Sequence, residues 1–248
     1  MAIVAYSAEG AVGRLTISRP DRRNALNHSA LDELHDGVRR AAAGDLRCLV
    51  LTGDQGHFCS GADLKELEDL EFTNALRAML DDLAALPFPV IAAISGACMG
   101  LGMQLALACD LRVCTDDARF AVPVARLGLM VDHWTVQRLA LHAGHSTARW
   151  MLLTADQVTA ERAHDVGLVH RIVDSLDEAD ALARQISSLA PLTLAGSKLG
   201  LDLLERSPQD ADPEGRYRQA FEGAWGSEDL VEGRRAFGER RPPEFKGR

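Results

Sequence analysis

One stretch of the chain, residues 94–110, constrains the fold more than any other: Ile-Ser-Gly-Ala-Cys-Met-Gly-Leu-Gly-Met-Gln-Leu-Ala-Leu-Ala-Cys-Asp. The apolar run 89–94 predicts a buried strand, and the glycines that follow it permit a tight turn with close backbone approach. A helix is predicted to begin near Leu101. The first amides of a helix have no partner within it and lie at the positive end of its dipole. The turn therefore predicts a site for an oxygen that becomes negative during a reaction.

A second segment has the same layout. Residues 57–67, His-Phe-Cys-Ser-Gly-Ala-Asp-Leu-Lys-Glu-Leu, follow the apolar strand predicted at 48–52. Together the two segments resemble the defining segments of the enoyl-CoA hydratase/isomerase family, also called the crotonase superfamily. In that family each segment supplies one backbone N–H to an oxyanion hole. The resemblance implies that the amides of Ala62 and Leu101 bind a thioester oxygen as an enolate forms.

Strand and helix patterns alternate in short units along most of the chain. Strands are predicted at 3–7, 12–18, 48–52, 90–95, 111–114 and 168–173. Helices are predicted at 29–43, 64–86, 101–108, 134–142, 147–153, 160–166 and 176–189. After Pro191 the pattern is only helical, at 192–204, 214–224 and 227–240.

The family resemblance turns this pattern into an expected fold. It implies an α/β chain whose crotonase-like ββα spiral core, residues 1–190, binds acyl-CoA. Residues 191–248 are expected to form a C-terminal all-helical trimerisation region that packs on a neighbouring subunit. The implied assembly is a homotrimer or a dimer of trimers.

Two positions depart from the hydratases of this family, which carry one glutamate on each side of the site. Those positions are Gln104 and Val124 here. Hydration needs one group that activates water and another that protonates carbon, which is work for carboxylates at neutral pH. A carboxamide has no useful basicity, and an isopropyl group can do neither. Ordinary hydratase chemistry is therefore not expected.

Asp132 has two interpretations, and both can hold. It stands where some isomerases and a dehalogenase of the family place a catalytic aspartate. It also precedes the helix predicted at 134–142, where an aspartate commonly caps the first turn. His133 is a pocket candidate only because it follows Asp132, and Trp134 is expected to border the acyl group.

The resemblance adds a set of residues expected to bind the coenzyme A part of the ligand. Arg22 lies in a loop, residues 19–26, that resembles the family's ribose and phosphate loop. Phe237 and Arg240 match residues that reach a neighbouring subunit's coenzyme A. The segment after Ala62 completes the set with Asp63, Leu64 and Lys65, of which Asp63 is also expected to cap the following helix.

Composition excludes several other classes of protein. The formal net charge of -9 over 248 residues argues against nucleic-acid binding, which depends on neutralising phosphates. No apolar run is long enough for a membrane span, and the N-terminus does not resemble a secretory signal, so a cytoplasmic location is expected. Neither the histidines nor the five cysteines have metal-ligand spacing. Cys59 is conceivable as a nucleophile. The favoured role of all five cysteines, however, is to pack in the core as reduced thiols.

Three hypotheses follow for the function. The first is a protein that binds or delivers fatty acyl-CoA without hydrating it. It would be similar to an atypical mycobacterial homologue of the family that lacks both glutamates and is linked to the supply of long-chain fatty acids for lipid synthesis. The second is an acyl-CoA isomerase, hydrolase or lyase that uses Asp132 with the Ala62 and Leu101 amides. The third is a fold kept only as an assembly surface, which the intact oxyanion segments disfavour. No covalently bound cofactor is expected; the ligand is a coenzyme A thioester, and fatty-acid-synthesis proteins are possible partners.

Overall fold

The structure is a computed structural model that describes residues 2–64, 70–205, 222–223, 225–241 and 243–244. Lys65 and most of the helix predicted at 214–224 lie outside the described residues. The strands are β1 (Val4–Glu9), β2 (Val12–Ile17), β3 (Cys48–Gly53), β4 (Val90–Ile94), β5 (Ala97–Met99), β6 (Leu111–Cys114), β7 (Arg119–Ala121), β8 (Val158–Thr159) and β9 (Arg171–Ile172). The helices are α1 (His28–Ala43), α2 (Leu70–Ala84), α3 (Leu101–Ala108), α4 (His133–Thr154), α5 (Ala160–Asp165), α6 (Asp177–Ser187), α7 (Pro191–Glu205) and α8 (Glu228–Glu239).

The main sheet has the strand order β1-β2-β3-β4-β6-β9. β1 and β2 form an antiparallel hairpin, and every later neighbour in this sheet is parallel. All residues of β3 and β4 are buried, because helices and loops cover both faces of the sheet. This double burial explains why these strands appear in the sequence as continuous apolar runs without alternation.

A second, three-stranded sheet has the order β5-β7-β8. β5 pairs in parallel with β7, with Cys98 opposite Phe120, and β7 pairs antiparallel with β8. The sequence patterns did not predict this sheet, because strands of two or three residues are too short to have a hydrophobic period. β5 ends one residue before the turn into α3, so this sheet helps to fix the start of that helix.

Side-chain caps set the starts of several helices. Asn27 accepts a hydrogen bond from the Ala30 amide at the start of α1, and Ser227 accepts one from Leu230 at the start of α8. Such caps satisfy amides that have no partner within the helix. The helices predicted at 134–142 and 147–153 both lie within α4, which consists of two helical parts separated at Gly144, where φ 74° and ψ 150° are not helical.

The C-terminal helices contact the core within the chain. Lys198 of α7 is buried and forms an ion pair with Asp110, and Gly233 of α8 packs against the backbone of Leu127. In the described part of the chain, no helix has the length and apolar character to cross a bilayer. No group of three or more potential metal ligands occurs among the same residues.

Candidate functional site

The two predicted oxyanion segments lie against each other, backbone to backbone. Cys59 and Cys98 form an isolated parallel bridge between them. A methyl group added to Gly102 would lie 2.1 Å from the Cys59 carbonyl oxygen, so only glycine fits there. Gly61 and Gly100 have φ of 118° and 53°, and a methyl group on Gly100 would lie 4.0 Å from the Gly61 Cα. Glycine is required at these positions for backbone shape and close approach.

This contact brings together the residues that follow the two glycines, Ala62 and Leu101. The Leu26 amide donates to the Gly61 carbonyl (2.9 Å), and the Asp63 amide donates to the Leu26 carbonyl (2.8 Å). In such a parallel bridge the intervening residue, Ala62, directs its own N–H away from Leu26. Leu101 is the first residue of α3, so its amide has no helical acceptor. Among the described residues, neither amide has a backbone acceptor.

Both residues line a cavity of about 270 Å³. Gln104 and Val124 line the same cavity, so the structure brings together the two oxyanion candidates and the two positions that lack glutamate. Most of the remaining lining is apolar: Leu64, Phe72, Leu76, Leu80, Leu127, Leu129, Met130, Val131 and Trp225. The cavity therefore suits an apolar group that extends from the two amides.

Gln104 takes part in a hydrogen-bond chain along the cavity wall. Its Nε2 donates to the Thr135 hydroxyl at 2.7 Å, and that hydroxyl donates to Oδ1 of Asp132. Thr135 is fully buried, and its backbone amide donates to the same Oδ1 at 3.0 Å. Asp132 therefore caps α4, as one of its two sequence interpretations predicted.

Asp132 also lines the cavity, opposite a cation that the sequence reasoning missed. Arg77 Nη1 lies 3.4 Å from Asp132 Oδ2, and the Arg77 guanidinium lies 4.0 Å from the centre of the Trp134 ring. Within the described lining, Arg77 and Asp132 are the ionisable side chains, and Arg77 also forms an ion pair with Asp81 at 2.7 Å. Arg77 is in α2, far from Asp132 in sequence, so no local pattern connects the two.

His133 and Trp134 are not among the residues that line this cavity. His133 is exposed at the start of α4 and is not among the cavity residues. Trp134 is partly buried and packs against the core, with the guanidinium groups of Arg77 and Arg138 at 4.0 and 5.1 Å from the centre of its ring. The pocket role of His133 and the acyl contact of Trp134 stay predictions.

A second cavity, of about 610 Å³, adjoins the first and shares Ala62 and Leu64 with it. Its lining carries four arginines against one acid, Asp63: Arg22, Arg23, Arg126 and Arg241. Phe237 of the same chain is also in this lining. Arg126 and Arg241 also pair with acids outside this lining, Asp156 and Glu232. The charges of Arg22 and Arg23 favour an anionic ligand.

Arg241 is the C-terminal basic residue at this cavity, and the contact expected of Arg240 with a neighbouring subunit's coenzyme A stays a prediction. Arg240 ends α8 in a left-handed conformation, is exposed and is not in the lining, whereas Arg241 is. Glu232 holds Arg241 through contacts of 2.6 and 3.0 Å. Nothing in the local sequence distinguishes one arginine from the other, because the acid that selects between them lies nine residues earlier.

The loop at the second cavity is fixed by Asn24, which is fully buried. Asn24 Oδ1 accepts from the Arg19 amide (2.8 Å), and its Nδ2 donates to the carbonyls of Asp54 (2.8 Å) and His57 (2.6 Å). The Ser60 hydroxyl donates to the Arg22 carbonyl at 3.0 Å. These bonds hold the arginine loop against the first oxyanion segment.

Asp63 lies at the same place and is nearly buried. It forms an ion pair with Arg19 at 3.1 Å. The helix that it was expected to cap, predicted to begin at Leu64, is described only from Leu70, so this capping role stays a prediction. Its contact with Arg19 gives it a structural role in joining the loop to the segment.

Cys59, the conceivable nucleophile, is fully buried beneath the oxyanion segment. Burial raises the pKa of its thiol to about 12. Because the thiolate is the reactive form, this thiol is inert at neutral pH. The packing interpretation therefore fits the structure.

Known proteins resemble the chain over nearly its whole length. A sequence model of the family described as Enoyl-CoA hydratase/isomerase matches residues 7–248. The probable enoyl-CoA hydratase echA6 of Mycobacterium tuberculosis is 40% identical over 238 residues, covering 96% of each chain. The 2,3-dehydroadipyl-CoA hydratase of Escherichia coli K12 is 36% identical over 248 residues, covering 94% of each chain.

Solved structures show the same relationship. A methylmalonyl-CoA decarboxylase in complex with 2-nitronate-propionyl-CoA superposes with a TM-score of 0.91 at 26% identity, covering 99% of each chain. An enoyl-CoA hydratase from Mycobacterium avium subsp. paratuberculosis superposes with a TM-score of 0.88 at 28% identity, again covering 99% of each chain.

Proposed function

This chain belongs to the enoyl-CoA hydratase/isomerase family, and from that premise we propose that it binds acyl-CoA thioesters without hydrating them. Its family and its crotonase-like α/β fold, both expected from the sequence, are confirmed. The reaction does not follow from either, because one fold supports several chemistries. The proposal therefore depends on the residues of the site.

The single observation that carries the proposal is that the polar side chains in the first cavity are not a pair of free carboxylates. Gln104 and Val124 stand where hydratases carry carboxylates, and Gln104 is engaged with Thr135. Asp132 accepts two hydrogen bonds from Thr135 and faces Arg77. Asp132 is also the single carboxylate in the described lining of this cavity. The described lining thus lacks the two proton-handling groups that hydration needs.

The binding part of the proposal rests on the two cavities together. In this proposal the Ala62 and Leu101 amides hold a thioester oxygen, and the acyl chain lies in the apolar cavity that both residues line. The arginine-lined second cavity then receives the phosphates of coenzyme A. Arg22 and Arg241 are the proposed phosphate contacts, and Phe237 is a proposed contact for the nucleotide.

A second candidate function is an isomerase, hydrolase or lyase that uses Asp132. The supporting observation is that the Asp132 side chain is 31% exposed and lines the cavity next to the proposed oxyanion hole. In this candidate Asp132 transfers a proton to or from the acyl group. Asp132→Asn, which keeps the helix cap, would then abolish turnover while preserving affinity.

The proposed assembly is a homotrimer or a dimer of trimers. Large apolar side chains are exposed on α4 and α7, including Leu153 (75%), Leu192 (87%) and Leu201 (63%). Exposed apolar area of this kind is typical of an interface. Sedimentation of the purified protein tests the assembly. The cytoplasmic location and the partners in fatty acid synthesis stay predictions.

One experiment separates the two functions. Purified protein is titrated with saturated and 2-enoyl coenzyme A thioesters of four to twelve carbons, and hydration is followed on the same samples by loss of enoyl absorbance. Saturable binding with no turnover supports the binding function. Turnover near that of an ordinary hydratase would refute it. Turnover that disappears only in Asp132→Asn would favour the second candidate.

A further inference from the structure

We propose that the Asp132–Thr135–Gln104 chain makes Gln104 a hydrogen-bond acceptor toward the ligand, so that the site selects 3-hydroxyacyl thioesters over 3-oxoacyl thioesters. This inference rests on the proposed acyl-CoA binding and names its ligand class. It assigns Gln104 as the residue that determines specificity and Thr135 as a positioning residue.

The direction of every bond in the chain follows from Asp132. An ionised carboxylate only accepts hydrogen bonds, so the Thr135 hydroxyl must donate its one hydrogen bond to Asp132 Oδ1. The Thr135 oxygen can then only accept from Gln104. The amide group of Gln104 is therefore fixed with its NH₂ toward Thr135, at 2.7 Å. Because this bond is buried, reversing the amide would place two acceptors against each other, which is costly.

The carbonyl oxygen of Gln104 consequently faces the other way. Gln104 lines the cavity, and its Oε1 has no hydrogen-bond partner among the described residues. It is also not one of the buried polar atoms that lack a partner, so it remains accessible from the cavity. An accessible acceptor next to apolar walls favours a ligand that brings a donor.

The position of Gln104 indicates which carbon carries that donor. Gln104 follows Leu101 by one helical turn, so the two side chains share a face of α3 and lie about 5–6 Å apart at Cβ. Helical side chains lean toward the N-terminus, which directs the Gln104 amide back toward the Leu101 amide. With the thioester oxygen at Leu101, Oε1 comes within reach of the first carbons beyond the thioester.

A hydroxyl group on carbon 3 satisfies this acceptor. A 3-oxo group opposes it with a second acceptor, and a saturated chain leaves it without a partner. A hydrogen bond of this kind contributes about 0.5–1.5 kcal/mol, which corresponds to a roughly two- to tenfold preference. We expect affinity to fall in the order 3-hydroxyacyl, saturated, 3-oxoacyl.

The experiment measures dissociation constants by calorimetry for 3-hydroxyoctanoyl-, octanoyl- and 3-oxo-octanoyl-CoA. Wild-type protein should bind the hydroxyacyl thioester at least about fivefold more tightly than the oxoacyl thioester. Thr135→Val removes the hydroxyl that fixes the amide, and the ratio should fall to about one. Thr135→Ser keeps the hydroxyl and should restore the preference. Gln104→Met, of similar shape without the acceptor, should also lose it.

The controls separate this inference from the proposed function. If none of the three thioesters binds, the proposed function fails. If octanoyl-CoA binds but 3-hydroxyoctanoyl-CoA and 3-oxo-octanoyl-CoA bind with equal affinity, only the present inference fails. A preference that survives in both Gln104→Met and Thr135→Val would also overturn it. Circular dichroism of each variant establishes folding. If Thr135→Val unfolds, the comparison of Gln104→Met with wild type decides the outcome.

Discussion

The Lys198 ammonium lies 2.8 Å from Oδ2 of Asp110 and is only 8% exposed. Its Nζ also donates to the Phe88 carbonyl at 3.3 Å, and the same Asp110 oxygen accepts from the Val90 amide at 2.7 Å. This ion pair connects α7 to the start of β4 and to the turn after α3. The C-terminal helical region is thereby anchored to the sheet within one chain.

Loss of one partner should therefore be costly. We expect Lys198→Met to lower the free energy of unfolding by about 2–4 kcal/mol, since it leaves the Asp110 charge without its counterion. Urea unfolding measures this change. Arg39→Ala is the control, because its pair with Asp36 is exposed on both sides and is worth less than about 0.5 kcal/mol. Equal effects of the two substitutions would contradict the anchoring role.

The contact between the oxyanion segments yields a second prediction. Gly102→Ala places a methyl group 2.1 Å from the Cys59 carbonyl oxygen, so the two segments must separate. We expect a loss of about 1–3 kcal/mol in the free energy of unfolding and weaker acyl-CoA binding. Thermal unfolding and ligand titration measure these effects.

A second glycine supplies the control for this substitution. Gly196 lies in exposed helix α7, and a methyl group there meets nothing within 4 Å. Gly196→Ala should stabilise the protein by about 0.5–1 kcal/mol through helix propensity. A neutral result for Gly102→Ala would show that the segments are not held by close packing.

Sequence patterns predicted helices and strands best where a run of apolar residues was continuous and ended at clear boundary residues. β6 and α3 occupy the predicted residues, and β3 and β4 end within one residue of prediction. The two helices predicted on either side of Gly144 both occur within α4, and Gly144, with φ 74° and ψ 150°, is the non-helical residue that separates them. Glycine at this position supplies the positive φ that this break requires.

The site could be predicted only as far as local motifs reach. The glycine-rich segments located Ala62, Leu101 and Gln104 at one cavity. Arg77 and Thr135 were missed because their roles depend on contacts with Asp132 and Gln104 that only the folded chain creates. Recognition of such pairs requires tertiary structure.

A partly buried histidine, His142, predicts a pH dependence of stability. Burial, aided by the nearby Arg112 guanidinium, lowers the pKa of His142 to about 3. Arg112 cannot move away, because it is buried and donates to the carbonyls of Leu168 and Cys109 at 2.6 and 2.8 Å. The folded protein therefore keeps His142 neutral at a pH where the unfolded chain, with a histidine pKa of about 6.5, binds a proton.

The sign of the effect follows from this difference. Between about pH 6.5 and pH 3 the unfolded state binds more protons, so the free energy of unfolding falls as the pH decreases. One such group contributes at most about 1.4 kcal/mol per pH unit. His142→Asn, which retains an acceptor for Arg112, should make the decline shallower in urea unfolding between pH 7 and pH 5. His170, whose pKa burial also lowers, would still contribute in the variant. An unchanged slope would exclude His142 as a source.

The replaced glutamates provide the last prediction. Gln104→Glu with Val124→Glu restores two carboxylates to the cavity, but the carboxylate introduced at position 104 would face Asp132 across the Thr135 hydroxyl. That hydroxyl can donate to only one of them, and like charges at this distance repel. We therefore expect little hydration of crotonyl-CoA from the double variant.

Adding Asp132→Asn removes the repulsion and keeps the α4 cap, since asparagine caps as well as aspartate. This triple variant should hydrate crotonyl-CoA at least about tenfold faster than the double variant, measured by loss of enoyl absorbance. The single variants are controls and should stay at background, because the reaction needs both carboxylates. If the triple variant binds butyryl-CoA but does not exceed the double variant, charge repulsion from Asp132 is not what limits the reaction. The obstacle would then be the shape of the cavity around Leu101, which would have to exclude the attacking water.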